Sequence, residues 1–200
     1  MIASTLLLSA LLTLSAVPEG VGRTVDWARL EAAVRQYMLS PSDRSAAVVR
    51  GLLPQGGRAR FGVPEERAAS EEFYQALEHS LPTIGRLIEG RNREAVRLAF
   101  DLRSACDGAL LEDLDAVLTR LVRVDPTLFL SEVRAHGGKA AIDVAAFTGA
   151  AFVDQEEAKC AELNQRIRAL ESVHDDSLAA LRDLAIEKIR KATTPIPRCK

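Results

Sequence analysis

Aromatic residues make up only 4% of this 200-residue chain, and the shortage argues against a β-rich fold. Strands favour β-branched and aromatic side chains, whereas Ala, Leu, Glu and Arg, plentiful here, favour helices. Strong charge of one sign is also missing. The net charge is −2, and the first hundred residues carry 12 Arg against 11 acids, the second hundred 14 bases against 17 acids. Neither half has the basic excess of a phosphate-backbone binder, which excludes nucleic acid as the expected partner. No block of five like charges occurs, so acidic-tail and polybasic readings fail too. Only 5 of the 26 basic residues are Lys, a bias that points to a GC-rich, bacterial genome and says nothing about chemistry.

Catalytic signatures are absent as well. There is no Gly-x-Ser-x-Gly, no phosphate-cradling glycine loop with Lys-Ser/Thr and no His-Glu-x-x-His, so no catalytic residue, metal ligand or cofactor is assigned. Glu171 and His174 have the Glu-x-x-His spacing of di-metal helical bundles, but those sites need two copies and this chain has one. A helix end capped by Asp175 accounts for that stretch. Glu132 and His136 stand four apart, where they can pair at a helix C-terminus whose dipole favours a protonated imidazole. His79, beside Glu78, reads as an exposed or capping residue.

The longest apolar run is Ile2 to Val17, uncharged and closed by Pro18-Glu19-Gly20. Its 16 residues fall short of the roughly 20 that span a bilayer as a helix. The run matches the core of a secretory signal peptide, residues 1–22, although no Lys or Arg precedes it. Export to a periplasmic or extracellular space is the expectation, with no stable membrane insertion once the leader is cleaved. An uncleaved anchor or a misplaced start codon are the alternatives.

What remains, residues 23–192, is one domain's worth of amphipathic segments followed by an irregular tail at 193–200. Asp26 or Thr24 caps a helix through Leu39, Ser42 caps a shorter one through Leu53, and Pro54 to Pro64 is a loop with three Gly and two Pro. Pro82 is expected to divide Glu65 to Gly90 into two helices, about 65–80 and 82–89. Asn92 caps the next helix. Residues 109–124 carry the cleanest apolar stripe, from Leu110 to Val122. Asp125-Pro126 starts another helix. Lys139 to Ala151 is expected to be a buried helix, with small-residue faces at Gly137/Ala141 and Ala145/Gly149. Two amphipathic helices, about 154–172 and 175–192, close the domain.

Short connections between helices give antiparallel hairpins. The unit GALLEDLDAVLTRLVRVDPTLFLSEVRAHGG, residues 108–138, in which a long apolar helix meets an Asp-Pro turn and a second helix, resembles a repeat of the HEAT/armadillo class of α-solenoids. Leu81 to Asp107 has a similar helix–Gly–Asn–helix layout without the Asp-Pro, and no sequence repeat recurs at a fixed period. The resemblance covers about residues 65–150 and implies a scaffold or protein-binding surface with no active site. An all-α fold is therefore expected, either a short HEAT-like solenoid or an irregular helical bundle. Its function would be that of an exported, non-enzymatic interaction module for an unidentified protein partner. A helical metal-binding or enzymatic protein whose site forms only in three dimensions, or a membrane-anchored envelope component, stand as alternatives.

Two sets of residues are singled out. Arg58, Arg60 and Phe61 in the 54–64 loop are good contact residues if displayed to a partner. Cys160 falls in register with Leu163, Ile167 and Leu170 and faces the core, as does Cys106 beyond Leu102. Antiparallel packing of the last two helices would allow a Cys160–Cys199 bridge in an oxidising compartment; three unpaired thiols are the other possibility.

Overall fold

The computed structural model describes residues 25–53, 64–106, 108–194, 196 and 199. The leader and Arg58, Arg60 and Phe61 lie outside them. Eight α-helices occur among the described residues: α1 (Trp27–Leu39), α2 (Asp43–Leu52), α3 (Pro64–Glu89), α4 (Arg93–Ala105), α5 (Gly108–Val124), α6 (Pro126–Ala135), α7 (Glu156–Glu171) and α8 (Ala179–Thr193). No strand occurs among them. None of these helices is long and apolar enough to cross a membrane.

The helix starts follow local chemistry. The side chains of Asp26, Asn92 and Asp125 accept hydrogen bonds from the backbone N–H three residues on. Ser42 and Ser45 form a reciprocal capping box. Each such cap satisfies an orphan donor and contributes about 1 kcal/mol.

Packing follows a simple rule. Each helix pairs with its hairpin partner, α1 with α2, α3 with α4, α5 with α6 and α7 with α8. Beyond the hairpins, α1 meets α3, α3 meets α5 and α5 meets α7, while α2 meets α4, α4 meets α6 and α6 meets α8. The core between them is mostly aliphatic, with Leu30, Leu77, Ile88, Leu114, Leu118, Leu121 and Phe129 fully enclosed. Trp27 of α1 lies 5.5 Å from Phe73 of α3, centroid to centroid.

Two expectations fail. Pro82 does not divide the chain: α3 runs unbroken through it. Proline removes one donor, the partner of the Glu78 carbonyl, but Glu78 and Pro82 both lie on the exposed face. The buried residues Phe73, Leu77, Ser80, Leu81, Ile84 and Ile88 continue on the other side of that gap. Tertiary packing therefore holds the helix together across a weak point that solvent can satisfy.

Lys139 to Ala151 is not an α-helix either. It is three 3-10 turns, Gly138–Ala140, Ile142–Ala146 and Gly149–Phe152, so the small-residue faces expected of a helix there do not exist. Gly137, Gly138 and Gly149 take φ values of 96°, 56° and 57°, which interrupt any continuous helix. The Arg166 guanidinium supplies a second cause. It is buried and its Nη1 donates to the carbonyl oxygens of Ala145 at 3.2 Å and Phe147 at 2.6 Å, taking two acceptors that a helix would use. Burial holds for part of the segment: Ala141, Ile142, Val144 and Ala145 are enclosed, packed against α5 and α8, while Lys139 and Asp143 are exposed and residues 146–149 half-buried.

Cys160 and Cys199 are bonded, with Cα atoms 5.2 Å apart, and Ile196 is buried as the tail turns back. Cys106 is buried and takes no part in the bridge.

Candidate functional site

Among the described residues, the most extensive grouping of ion-paired side chains spans α2, α4 and α6. Helix α4 contributes Glu94, Arg97 and Asp101, spaced so that all three share one face. Arg50 of α2 reaches across with two bonds, Nε to Asp101 at 2.7 Å and Nη1 to Glu94 at 2.9 Å. Arg97 donates to Glu94 at 2.7 Å and to Glu132 of α6 at 3.3 Å. His136, at the end of α6, completes the network. Its Nε2 lies 3.1 Å from Asp101 Oδ1 and its Nδ1 lies 2.8 Å from the Glu132 carbonyl oxygen. The Glu132 carboxylate is 3.7 Å from the same Nδ1. Phe100 stacks on the imidazole at 5.2 Å.

The electrostatics follow from this geometry. The hydrogen bond to Asp101 raises the His136 pKa, against the opposing effect of burial, and the Glu132 carbonyl and carboxylate add to the rise. Burial pushes the Asp101 carboxyl up, but the bond and charge of His136 and the Arg50 guanidinium outweigh it and hold the carboxyl below its usual value. With His136 protonated, three cations face three carboxylates.

A His–Asp contact invites a catalytic reading, and the geometry argues against it. A general base needs a ring nitrogen that can reach a substrate proton. Both nitrogens of His136 are already engaged, one by a carboxylate and one by a backbone carbonyl. A second, part-buried pair is likewise directed inward. Arg103 of α4 donates to Asp115 of α5 through Nε at 2.5 Å and Nη2 at 3.3 Å. Desolvation raises the Asp115 pKa despite that partner.

The other residues picked out do not converge. Glu171 accepts from Arg190 at 3.4 Å, while His174 is exposed. His79 is exposed, its Nδ1 2.6 Å from the Gln75 carbonyl oxygen. Among the described residues no group of three or more His, Cys, Asp or Glu could hold a metal ion. Two open concavities contain no histidine: one of about 430 Å³ lined by Glu171, Arg182, Asp183, Ile186 and Arg190, and one of about 330 Å³ lined by Tyr74, Glu78, Gly108, Ala109, Leu110 and Asp113.

Only the Glu132–His136 part of the charged network was read from sequence. Glu94, Arg97 and Asp101 were legible in principle, as an acid–base–acid pattern at helical spacing. Arg50 was not, because its partners lie 44 and 51 residues away.

No family model, no curated protein and no solved structure matches this chain.

Proposed function

We propose that the protein is an exported, non-enzymatic helical-repeat module, HEAT-like in arrangement, that binds another protein or serves as a scaffold. The observation that carries this reading is the contact rule of the helices. Successive hairpins meet mainly odd helix to odd and even to even, with α4 also touching α5 and α6 touching α7, a neighbour-to-neighbour pattern in keeping with stacked helix pairs of an α-solenoid. Such a stack presents two long faces and uses neither for chemistry. Two further observations support it. The largest charged network spends its groups on joining α2, α4 and α6. The Cys160–Cys199 bond suits an oxidising compartment, in keeping with the leader-like run at residues 2–17.

Three measurements on the full-length protein test the proposal. Amino-terminal sequencing of material recovered from envelope and medium is expected to give a start at residue 16 or residue 23, after the small-residue pairs Thr13/Ser15 or Gly20/Gly22. An intact Met1 or Ile2 removes the cleaved-leader claim. Elemental analysis is expected to find no stoichiometric metal, and a tightly held equivalent would replace the scaffold reading with a metalloprotein. Photo-crosslinking residues placed along exposed positions of α2, α4 and α6, and separately of α1, α3 and α5, are expected to trap one recurrent partner from one face. Trapping from neither face ends the interaction claim.

A further inference from the structure

We propose that His136 is a proton-operated clasp: in its imidazolium form it fastens the end of α6, and the glycine turn that follows, to α4 and α2, and it releases that corner when deprotonated. Nδ1 faces the Glu132 carbonyl oxygen at 2.8 Å, and Nε2 faces the Asp101 carboxylate at 3.1 Å. Above the carboxyl range both neighbours only accept. A neutral imidazole carries one N–H and satisfies one of them; the imidazolium carries two and satisfies both. Loss of the proton leaves a nitrogen lone pair against an oxygen at about the same distance, while stacking on Phe100 limits how far the ring can turn.

What is released is specific. The Nε2 bond ties the residue that ends α6 to Asp101 of α4, and through it to Arg50 of α2, one turn beyond the Arg97–Glu132 link between the same two helices. The next two residues, Gly137 and Gly138, have φ of 96° and 56° and lead into the 138–152 segment that packs on α5 and α8. The charges facing the ring are Asp101 from α4 and Glu132 from α6 itself. Arg50 and Arg97 stand behind those carboxylates, with Glu94 between them. Charges on the other elements packed around α6 turn elsewhere: Asp115 of α5 to Arg103, Glu162 of α7 to Arg123 and Arg166, and Lys188 of α8 to Asp143. Lys139 and Asp176 are exposed.

The direction of the effect follows from the raised imidazole pKa. A group whose folded value exceeds its unfolded one contributes fully below the unfolded value, and that contribution is lost as pH rises through the folded value. The clasp is therefore shut below the ordinary imidazole value and opens as pH rises through the raised folded value. At the acid end the depressed Asp101 carboxyl sets the limit, because its contribution is lost only as pH falls through its own lowered value.

The test uses the full chain with ¹⁵N-labelled histidine. Nitrogen-detected imidazole spectra between pH 5 and 9 are expected to show His136 protonated at both nitrogens, with a midpoint above the ordinary 6.5. Amide exchange over 136–142, corrected for intrinsic rates, should quicken by about tenfold for each pH unit by which the closed-state value exceeds the open one. Asp101→Asn is expected to lower the His136 midpoint, and His136→Gln to make exchange over 136–142 insensitive to pH. If His136→Gln does not fold, the midpoint shift in Asp101→Asn decides. An ordinary or lower midpoint in the native chain, one protonated nitrogen at pH 6, or pH-independent protection of 136–142 would each overturn the proposal.

Discussion

Arg91 holds an unusual place for its residue type, with φ at 60° in the left-handed region. It sits just past α3, where its own N–H bonds the Ile88 carbonyl and the Asn92 N–H bonds the Leu87 carbonyl, each at 2.9 Å. That pair of bonds is the Schellman ending, and its left-handed residue is usually glycine. Here Gly90 lies one position early. Asn92 cannot move to suit, because it also caps α4. The strain thus falls on a residue with a Cβ, for which left-handed backbone costs about 1–2 kcal/mol. Glycine would relieve that cost while adding chain entropy to the unfolded state. Arg91→Gly is accordingly expected to stabilise the protein by about 0.5–1 kcal/mol, read as a higher urea midpoint with an unchanged slope. A lower midpoint would mean that the Arg91 side chain makes a contact worth more than the strain.

At the scale of elements, the cases where local rules gave way are the instructive ones. The caps at Asp26, Ser42, Asn92 and Asp125 and the stripe of α5 were legible because each depends on residues three or four positions apart. Pro82 and residues 139–151 were misjudged because their outcome depends on partners far along the chain: α1 and α5 against α3, and Arg166 against the 3-10 turns. The charged network was half visible for the same reason, its local pair read and its Arg50 strut missed. Pro82→Ala should restore the lost donor on an exposed face and stabilise α3 by about 1–2 kcal/mol, less than the roughly 3 kcal/mol helix cost of proline because the unfolded chain also loosens. Thermal unfolding checks it; a fall in Tm would mean that the proline has a packing role. Arg166→Met tests the opposite kind of site. Its stem would be kept, but the Ala145 and Phe147 carbonyls would lose their donor and Glu162 would keep only Arg123 among its guanidinium partners. A loss of about 3 kcal/mol is expected, with amide exchange accelerated across 142–150 and not in α1. Unchanged exchange there would show that the turns stand without Arg166.

For the molecule as a whole, stacked hairpins and a closed bundle predict different end effects. If the hairpins are stacked, each touches only its neighbours, so the last hairpin has packing on one side alone. That end is where the chain carries its covalent link. The Cys160–Cys199 bond spans 39 residues and encloses all of α8, so it restricts the unfolded chain over the last helix. The chain-entropy relation for a loop of that length gives about 4 kcal/mol. The double variant Cys160→Ser/Cys199→Ser removes the bond while leaving Cys106 in place. It is expected to lower Tm by roughly 10 °C, given the few degrees per kcal/mol typical of a chain this size. Exchange should show where the loss is felt: α7 and α8 lose protection first, and α1 to α4 keep theirs. Equal loss of protection along the whole chain would instead mean that the eight helices unfold as one closed unit, and the stacked-hairpin reading would fall with that result.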